Sequence, residues 1–253
     1  MAVFTGSFLS SALGRQTSVS VIMPHDAMEE PPGGFPVLYL LHGYTDDCRS
    51  WLYRSGIERY ALERGICVIM PEADNSFYTD MVYGPNYFTY ITGELPTMVQ
   101  QLFRVFVGRD RTFIAGISMG GYGALKCALT KPEQYIGCIA LSPVVDLVQA
   151  IASPLGGQTG RQNWKGILGE SLRIEDENDL FRIVEAVGVY AQMCPQIYIA
   201  CGKNDELFDE NLRLKEALDK SRIDFTFEQA NAGHEWPFWD VAIQRGLDVV
   251  MGK

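Results

Sequence analysis

The feature that most constrains the fold of this chain is the alternation of short apolar runs with longer stretches of helical periodicity. Apolar runs bounded by turn residues predict β-strands at residues 17–23, 36–41, 66–70, 112–117, 135–141, 196–201 and 223–229. Helical patterns cover residues 50–64, 94–106, 119–130, 211–221 and 236–250. Because parallel strands need crossover connections, this order predicts an α/β fold with a mostly parallel sheet and helices on both faces.

The first two predicted strands are separated by a segment rich in turn-forming residues. Residues 29–34 read Glu-Glu-Pro-Pro-Gly-Gly, and proline and glycine favour tight turns. We therefore expect strands 17–23 and 36–41 to pair as an antiparallel N-terminal hairpin. The 253 residues contain no repeat and no low-complexity linker, so we expect a single domain over residues 1–253.

One segment, residues 143–189, breaks the alternation of strands and helices. It mixes short helical pieces with glycine-rich turns such as Gly-Gly-Gln-Thr-Gly at residues 156–160. Long insertions in compact domains often serve as lids or binding loops. The glycines lack the following Gly-Lys-Ser/Thr of a phosphate loop, so we expect an ordinary loop there.

The net charge and the cysteines indicate which binding partners and which cellular compartment are expected for this chain. The chain has 21 basic against 31 acidic residues, a net charge of −10, and such a chain repels nucleic-acid phosphates. No apolar run approaches membrane-spanning length, and the first ten residues lack the pattern of a signal peptide. None of the six cysteines forms a C-x-x-C pair. We expect a cytoplasmic protein with reduced thiols and neither a nucleic-acid nor a membrane partner.

The strongest chemical signal is the sequence Gly-Ile-Ser-Met-Gly at residues 116–120, which matches G-x-S-x-G. The pentapeptide alone is a weak signal, but a buried strand precedes it and a helical pattern follows it. Strand, tight turn and helix together expose a serine hydroxyl at the edge of a sheet. The sequence therefore predicts Ser118 as a nucleophile, with the backbone N–H of Met119 directed at a developing oxyanion.

A serine nucleophile needs a base, and the chain has three histidines. His25 follows the first predicted strand and is expected in a surface loop. His42 precedes Gly43 after a strand, where it would help to shape the oxyanion loop. His234 lies between the last predicted strand and the last helix. Ligands of α/β sheets bind at such carboxyl ends of strands, so His234 is the predicted base.

The acid that orients the base should lie between the serine and the histidine in sequence. Asp205 follows a buried strand in the turn Gly-Lys-Asn-Asp and is the preferred candidate. Asp209 is the alternative, although its position is typical of the N-terminus of a helix. Asp146 and Asp176 fall in the insertion and stay unplaced.

A second oxyanion donor is expected from the loop after the strand at residues 36–41. We assign this role to the backbone N–H of Tyr44. The chain has no H-E-x-x-H motif and no pair of histidines at helical spacing, so we expect neither a metal nor another cofactor.

These motifs together resemble the esterase D family of α/β-hydrolases, and most of all its bacterial tributyrin-esterase branch. The matching segments are residues 37–43, 51, 70–71, 78–80, 94–96, 113–123, 201–202, 205 and 234–236. The resemblance implies that Ser118, Asp205 and His234 form the catalytic triad. It also implies that residues 143–189 form a small cap.

The resemblance implies a serine carboxylesterase that hydrolyses esters of short-chain or small acids. The alternatives are an S-formylglutathione hydrolase, a feruloyl or acetyl esterase acting on plant polysaccharide esters and, least favoured, a non-catalytic binding scaffold. Relatives acting on S-formylglutathione carry a Gly-Leu-Thr-Cys type of oxyanion loop, whereas residues 43–47 here read Gly-Tyr-Thr-Asp-Asp, which counts against that thioester.

Large side chains around the predicted site suggest a small pocket. The candidates for its lining are His42, Tyr44, Trp51, Tyr78, Tyr122, Trp164 and Trp236. We expect a small-molecule ester as the partner. The sequence leaves self-association into a homo-oligomer open.

Overall fold

The computed structural model describes residues 1–153 and 157–252. Its centre is an eight-stranded sheet in the order β1-β2-β4-β3-β5-β6-β7-β8. The strands are β1 (Ala2–Ser10), β2 (Arg15–Met23), β3 (Val37–Leu41), β4 (Cys67–Pro71), β5 (Thr112–Ile117), β6 (Gly137–Leu141), β7 (Gln196–Gly202) and β8 (Phe225–Ala230). From β4 across to β8 every neighbouring pair is parallel, which confirms the predicted sheet.

Helices connect the strands and cover the sheet. They are α1 (Ser50–Arg54), α2 (Ile57–Arg64), α3 (Tyr87–Thr89), α4 (Leu95–Leu102), α5 (Met119–Thr130), α6 (Leu147–Ala152), α7 (Gly157–Leu168), α8 (Leu180–Val187), α9 (Phe208–Ser221) and α10 (Trp236–Met251). A π-helical turn, Tyr90–Glu94, and short 3-10 turns, including Asp176–Asn178 and Gly188–Met193, lie between them.

Strand β3 shows why the sheet must be covered on both faces. Val37, Tyr39 and Leu41 belong to one buried apolar cluster, together with side chains of α4, α5, α8 and α9. Leu38 and Leu40 point to the opposite face, where they join side chains of α2 and α10. Successive side chains of a strand alternate between faces, so a continuous apolar run requires two covering layers.

The N-terminal hairpin exists, but its composition was predicted wrongly. Strand β2 pairs antiparallel with β1, a strand that the sequence reading did not assign, and on its other side antiparallel with β4. Strand β3 lies between β4 and β5. The tight turn is made at residues 11–14, where Gly14 has φ 65°, and not at residues 29–34. The connection over residues 24–36 is long enough to carry the chain across β4 to the centre of the sheet.

Among its described residues, the segment between β6 and β7 holds three α-helices, α6 to α8. The glycine-rich stretch at residues 156–160 was predicted as a loop; Gly156 lies outside the described residues, but residues 157–160 form the first turn of α7. The prediction is wrong from residue 157 onward. Trp164, Ile167 and Leu168 of α7 are buried against the core, and this packing outweighs the poor helix propensity of the glycines.

In the described part of the chain, no helix is long and apolar enough to cross a membrane. The same residues contain no group of three or more His, Cys, Asp or Glu side chains arranged to hold a metal ion.

Candidate active site

Ser118 occupies the junction between β5 and α5 with a strained backbone. Its φ of 52° and ψ of −116° are unfavourable for a residue with a Cβ atom. The conformation is held on both sides: the Ser118 N–H donates to the Leu141 carbonyl at 2.9 Å, and the Ser118 carbonyl accepts from Tyr122 and Val144. Such strain persists only where the surrounding structure enforces it, and it is concentrated at functional sites.

The glycines of the motif allow a close approach of three backbone segments. A Cβ atom on Gly116 would lie 2.2 Å from the Gly120 carbonyl oxygen. A Cβ atom on Gly120 would lie 2.6 Å from the carbonyl oxygens of both Leu41 and His42. Only glycine fits at these two positions, and the result is that the start of α5 lies directly against the end of β3.

Two backbone N–H groups lie within two residues of this contact in the chain, those of Tyr44 and Met119. Within the described residues, neither the Tyr44 N–H nor the Met119 N–H donates a hydrogen bond. The next amide after Tyr44 is occupied, because the Thr45 N–H donates to Asn75 Oδ1 at 2.7 Å. Thr45 has φ 68°, so the turn is tight and turns the chain away after Tyr44.

Asp205 and His234 are joined by hydrogen bonds. His234 Nδ1 lies 2.9 Å from Asp205 Oδ2 and 3.1 Å from Oδ1. The Asp205 side chain is fully buried, whereas 28% of the His234 side chain is exposed. The Leu207 N–H also donates to Asp205 Oδ1, at 2.9 Å.

The surroundings of Asp205 keep its carboxylate ionised. Burial raises the pKa of Asp205, but the hydrogen bond and charge of His234, the Ser142 hydroxyl and the Leu207 N–H together outweigh burial, so the pKa lies below its ordinary value. A buried carboxylate that stays charged can fix the orientation of the imidazole and stabilise its protonated form.

The structure brings Asp205 and His234 together at the edge of the sheet that carries Ser118. Asp205 follows β7, His234 lies between β8 and α10, and Ser118 follows β5, so all three come after the carboxyl ends of parallel strands. The Ser118 hydroxyl and the His234 ring, both described, share no hydrogen bond. In structures without substrate such bonds are often long and shorten only when substrate binds.

The other histidines occupy different environments. His42 is buried, and both of its nitrogens are engaged: Nδ1 donates to the Gly43 carbonyl at 2.8 Å, and Nε2 accepts from the Ala73 N–H at 3.0 Å. Glu72 Oε1 also lies 3.4 Å from Nε2, so the His42 ring is held between the start of the Tyr44 loop and the chain at residues 72–73. His25 lies exposed in a 3-10 turn after β2.

The competing acids are also occupied elsewhere. Asp209 is exposed in the first turn of α9, where its charge favours the helix N-terminus. Asp146 caps α6 and pairs with Arg213 at 2.8 Å. Asp176 is exposed in a 3-10 turn.

The model of the Esterase family matches residues 10–248. The chain belongs to the Esterase family. An acetyl esterase of Caldicellulosiruptor saccharolyticus is 29% identical over an alignment of 259 positions, gaps included, which covers 98% of this chain and 97% of that protein. FphF, a fluorophosphonate-binding serine hydrolase of Staphylococcus aureus, superposes with a TM-score of 0.87 at 31% identity and 96% coverage of both chains. The S-formylglutathione hydrolase FrmB of Staphylococcus aureus superposes with a TM-score of 0.84 at 31% identity, again with 96% coverage of both.

These matches confirm the resemblance to an esterase D-like family, the α/β-hydrolase fold and the expectation of a serine esterase. The chain is therefore a carboxylic ester hydrolase.

Four aromatic rings of the esterase form one cluster, and its central member was missed from the sequence. The ring of Phe77 lies 4.4 Å from that of Trp164 and 6.0 Å from those of Tyr44 and Tyr122, measured between centroids. Three of these residues were predicted as pocket candidates. Phe77 has φ 50°, a conformation that the sequence does not indicate. The cluster joins α5 and the Tyr44 loop to helix α7 of the segment between β6 and β7.

The remaining pocket candidates lie in two groups. Trp51 and Tyr78 are fully buried, and each donates to a main-chain carbonyl at the end of β3, Trp51 to Leu41 and Tyr78 to His42. These two hydrogen bonds fix the main chain just before the Tyr44 loop. Trp236 is half-buried and stacks edge-on against Trp51 at 5.0 Å.

Proposed function

We propose that this esterase cleaves esters of small carboxylic acids through an acyl-enzyme formed on Ser118. Asp205 orients His234, which removes the Ser118 proton as Oγ attacks the acyl carbonyl. His234 then gives that proton to the departing alcohol, and a water activated by the same imidazole releases the acid. The observation that carries the proposal is the strained Ser118 at the sheet edge where His234 and Asp205 are hydrogen-bonded.

The oxyanion hole of the proposal consists of the Tyr44 and Met119 N–H groups. Both are without acceptors among the described residues, and the close packing permitted by Gly120 brings their segments together. Donors that are fixed before the reaction stabilise the tetrahedral intermediate without reorganisation, and each contributes about 100- to 1,000-fold to kcat.

For the acyl group we propose a short chain, as in the tributyrin-esterase branch. We also propose that residues 143–189 form a cap on the single domain. Three contacts support this placement: Trp164 stacks on Phe77, Asn163 Nδ2 donates to the Asn75 carbonyl at 2.7 Å, and the Asn178 carbonyl accepts from Tyr122. The similarity to an acetyl esterase points to the same acyl size.

A second candidate is hydrolysis of a glutathione thioester, which the 31% identity to a staphylococcal S-formylglutathione hydrolase favours. One panel separates the two: p-nitrophenyl esters from acetate to palmitate, a feruloyl ester and S-formylglutathione. The proposal predicts a maximum of kcat/KM at about two to four acyl carbons, because each fitting methylene adds roughly 0.8 kcal/mol and overpacking then costs about 1–3 kcal/mol. A maximum at about eight acyl carbons or beyond would refute the small pocket. Faster hydrolysis of S-formylglutathione than of every oxygen ester would select the second candidate.

The nucleophile is tested with Ser118→Ala and a fluorophosphonate probe. We expect the variant to fold, to lose labelling and to lose kcat by about a million-fold. Retention of more than about a hundredth of wild-type turnover would show that another residue is the nucleophile.

The proposal includes a cytoplasmic enzyme that acts on a small-molecule ester without nucleic acid, membrane or cofactor. All six cysteines are free thiols, and four lie in strands or helices of the core, which suits a reducing compartment. Self-association into a homo-oligomer stays a prediction.

A further inference from the structure

Asn75, in the turn after β4, forms hydrogen bonds with two segments that lie far from it in sequence. Its side-chain Oδ1 accepts from the Thr45 N–H, the amide that follows Tyr44, at 2.7 Å. Its main-chain carbonyl accepts from Asn163 Nδ2 of α7, also at 2.7 Å. A main-chain N–H can only donate, so the oxygen of the Asn75 amide faces Thr45. One residue therefore joins the loop that carries Tyr44 to the segment between β6 and β7.

The two peptide groups that flank Tyr44 are each held by a hydrogen bond. On the N-terminal side, the Gly43 carbonyl accepts from His42 Nδ1 at 2.8 Å. On the C-terminal side, the Thr45 N–H donates to Asn75. The Gly43 carbonyl and the Tyr44 N–H belong to one planar trans peptide group and point in opposite directions. The direction of the Tyr44 N–H is therefore set by hydrogen bonds on both sides of this residue.

The main chain is strained on both sides of the contact between Thr45 and Asn75. Thr45 has φ 68°, and on the other side Asp74 has φ 45° and Phe77 has φ 50°. Positive φ is unfavourable for residues with a Cβ atom and persists only where the surrounding structure enforces it. The hydrogen bond from the Thr45 N–H to Asn75 is one such restraint. Its removal would free the turn after Tyr44 to relax towards negative φ.

We propose that Asn75 is a positioning residue for the oxyanion hole, because it holds the turn after Tyr44 and couples that turn to α7. This inference rests on the proposed function, and within it on the Tyr44 N–H as an oxyanion donor. Such a donor is effective when its direction is fixed before the reaction begins. The bond from Asn163 in turn restrains the Asn75 main chain, so the position of α7 affects the geometry at Tyr44.

The test compares Asn75→Ala, which removes the acceptor, with Asn75→Asp, which keeps an oxygen in its place. Turnover of p-nitrophenyl acetate is expressed per active site, counted by fluorophosphonate labelling, in about 0.5 M salt to screen the charge of the aspartate. In Asn75→Ala we expect kcat to fall about tenfold, less than the loss of about 100-fold or more for a whole oxyanion donor. KM should stay near its wild-type value, because the oxyanion contact is made only in the transition state. Asn75→Asp should keep kcat within about threefold of wild type, because a carboxylate oxygen also accepts from a main-chain N–H.

Asn163→Ala leaves Asn75 in place but removes the hydrogen bond from α7. We expect its kcat to fall about threefold, near the lower end of the contribution of one neutral hydrogen bond. The matched control is Glu94→Ala, which removes the side-chain acceptor of the Ser11 and Ala12 N–H groups in the turn between β1 and β2. That turn carries no residue of the proposed site, so the control should lower the free energy of unfolding and leave kcat unchanged.

Wild-type kcat in Asn75→Ala would overturn the inference. An equal loss of kcat in Asn75→Ala and Asn75→Asp would also overturn it, because the acceptor oxygen would then make no difference. Should Asn75→Ala fail to fold, Asn163→Ala decides by the same measurement of kcat. Ser118→Ala, measured in parallel, separates these outcomes from a failure of the proposed function. An active Ser118→Ala overturns the nucleophile, whereas an inactive Ser118→Ala with a normal Asn75→Ala overturns only the positioning role.

Discussion

Substitution of Gly120 by alanine tests whether the close contact between α5 and the end of β3 sets the geometry of the proposed oxyanion hole. The added Cβ would lie 2.6 Å from the carbonyl oxygens of Leu41 and His42, whereas ordinary contact begins at 3.4 Å. Helix α5 and the end of β3 must therefore move apart by about 0.8 Å. Both obstacles are backbone atoms in the sheet or next to it, so no rotamer change can relieve the overlap.

The separation that grows is the one between the two proposed oxyanion donors. Met119 begins α5, and Tyr44 follows β3 by three residues. A misplacement of about 1 Å can cost about 100-fold in rate, so we expect kcat to fall by about that factor. Overpacking should also lower the free energy of unfolding by about 1–3 kcal/mol, which leaves the protein folded at 25 °C.

The assay is steady-state hydrolysis of p-nitrophenyl acetate together with urea unfolding. Gly93→Ala is the matched control, because a Cβ there meets no atom within 4 Å and the backbone is helical. It should keep wild-type kcat. A Gly120→Ala variant with kcat within about threefold of wild type would refute the reasoning that this contact sets the geometry of the oxyanion hole.

Two further predictions concern the acid and a buried lysine. Asp205→Asn should lower kcat by about ten-thousand-fold, because the amide holds the imidazole in the wrong tautomer, while Asp209→Asn should leave kcat near wild type; the opposite ranking would reassign the acid. Lys126 is buried, donates to Asn178 Oδ1 and Thr79 Oγ1, and burial lowers its pKa to about 8 from 10.5. Between pH 8 and 10.5 the Lys126 amine keeps its proton in the unfolded chain but has released it in the folded chain. As the pH rises through this range, the free energy of unfolding of wild type should therefore increase relative to that of Lys126→Met, by at most about 1.4 kcal/mol per pH unit. Urea unfolding of both proteins from about pH 7 to 10 measures the difference between their free energies of unfolding. If that difference stays constant with pH, Lys126 does not titrate in this range.

Patterns within short segments of the sequence were sufficient to predict most residues of the candidate active site. The strand–turn–helix around Ser118 could be read from the sequence because an apolar run, two glycines and a helical pattern are contiguous. Elimination among three histidines left His234, and a buried strand followed by a turn marked Asp205. Their roles in catalysis stay a proposal, but the hydrogen bond between His234 and Asp205 joins the pair that the sequence reading had selected.

The pairing of β-strands that lie far apart in the sequence could not be predicted from such short segments. Strand β1 is mostly exposed and lacks the continuous apolar run of a central strand, so it gave no signal, and β2 was paired with the wrong neighbour. The glycines of α7 gave a false loop signal, because the packing that makes the segment helical comes from side chains further along the helix.

The sequence by itself determined the class of fold and the chemical groups available, since both follow from short-range periodicity and from residue type. Only the tertiary structure decided which groups meet. Trp239 and Phe77 carry no signal in the sequence, yet the ring of Trp239 packs against that of His234 and the ring of Phe77 joins the aromatic cluster. Such contacts depend on the order of strands in the sheet and on positive φ values at single residues, and these are set by the packing of the whole domain rather than by neighbouring residues.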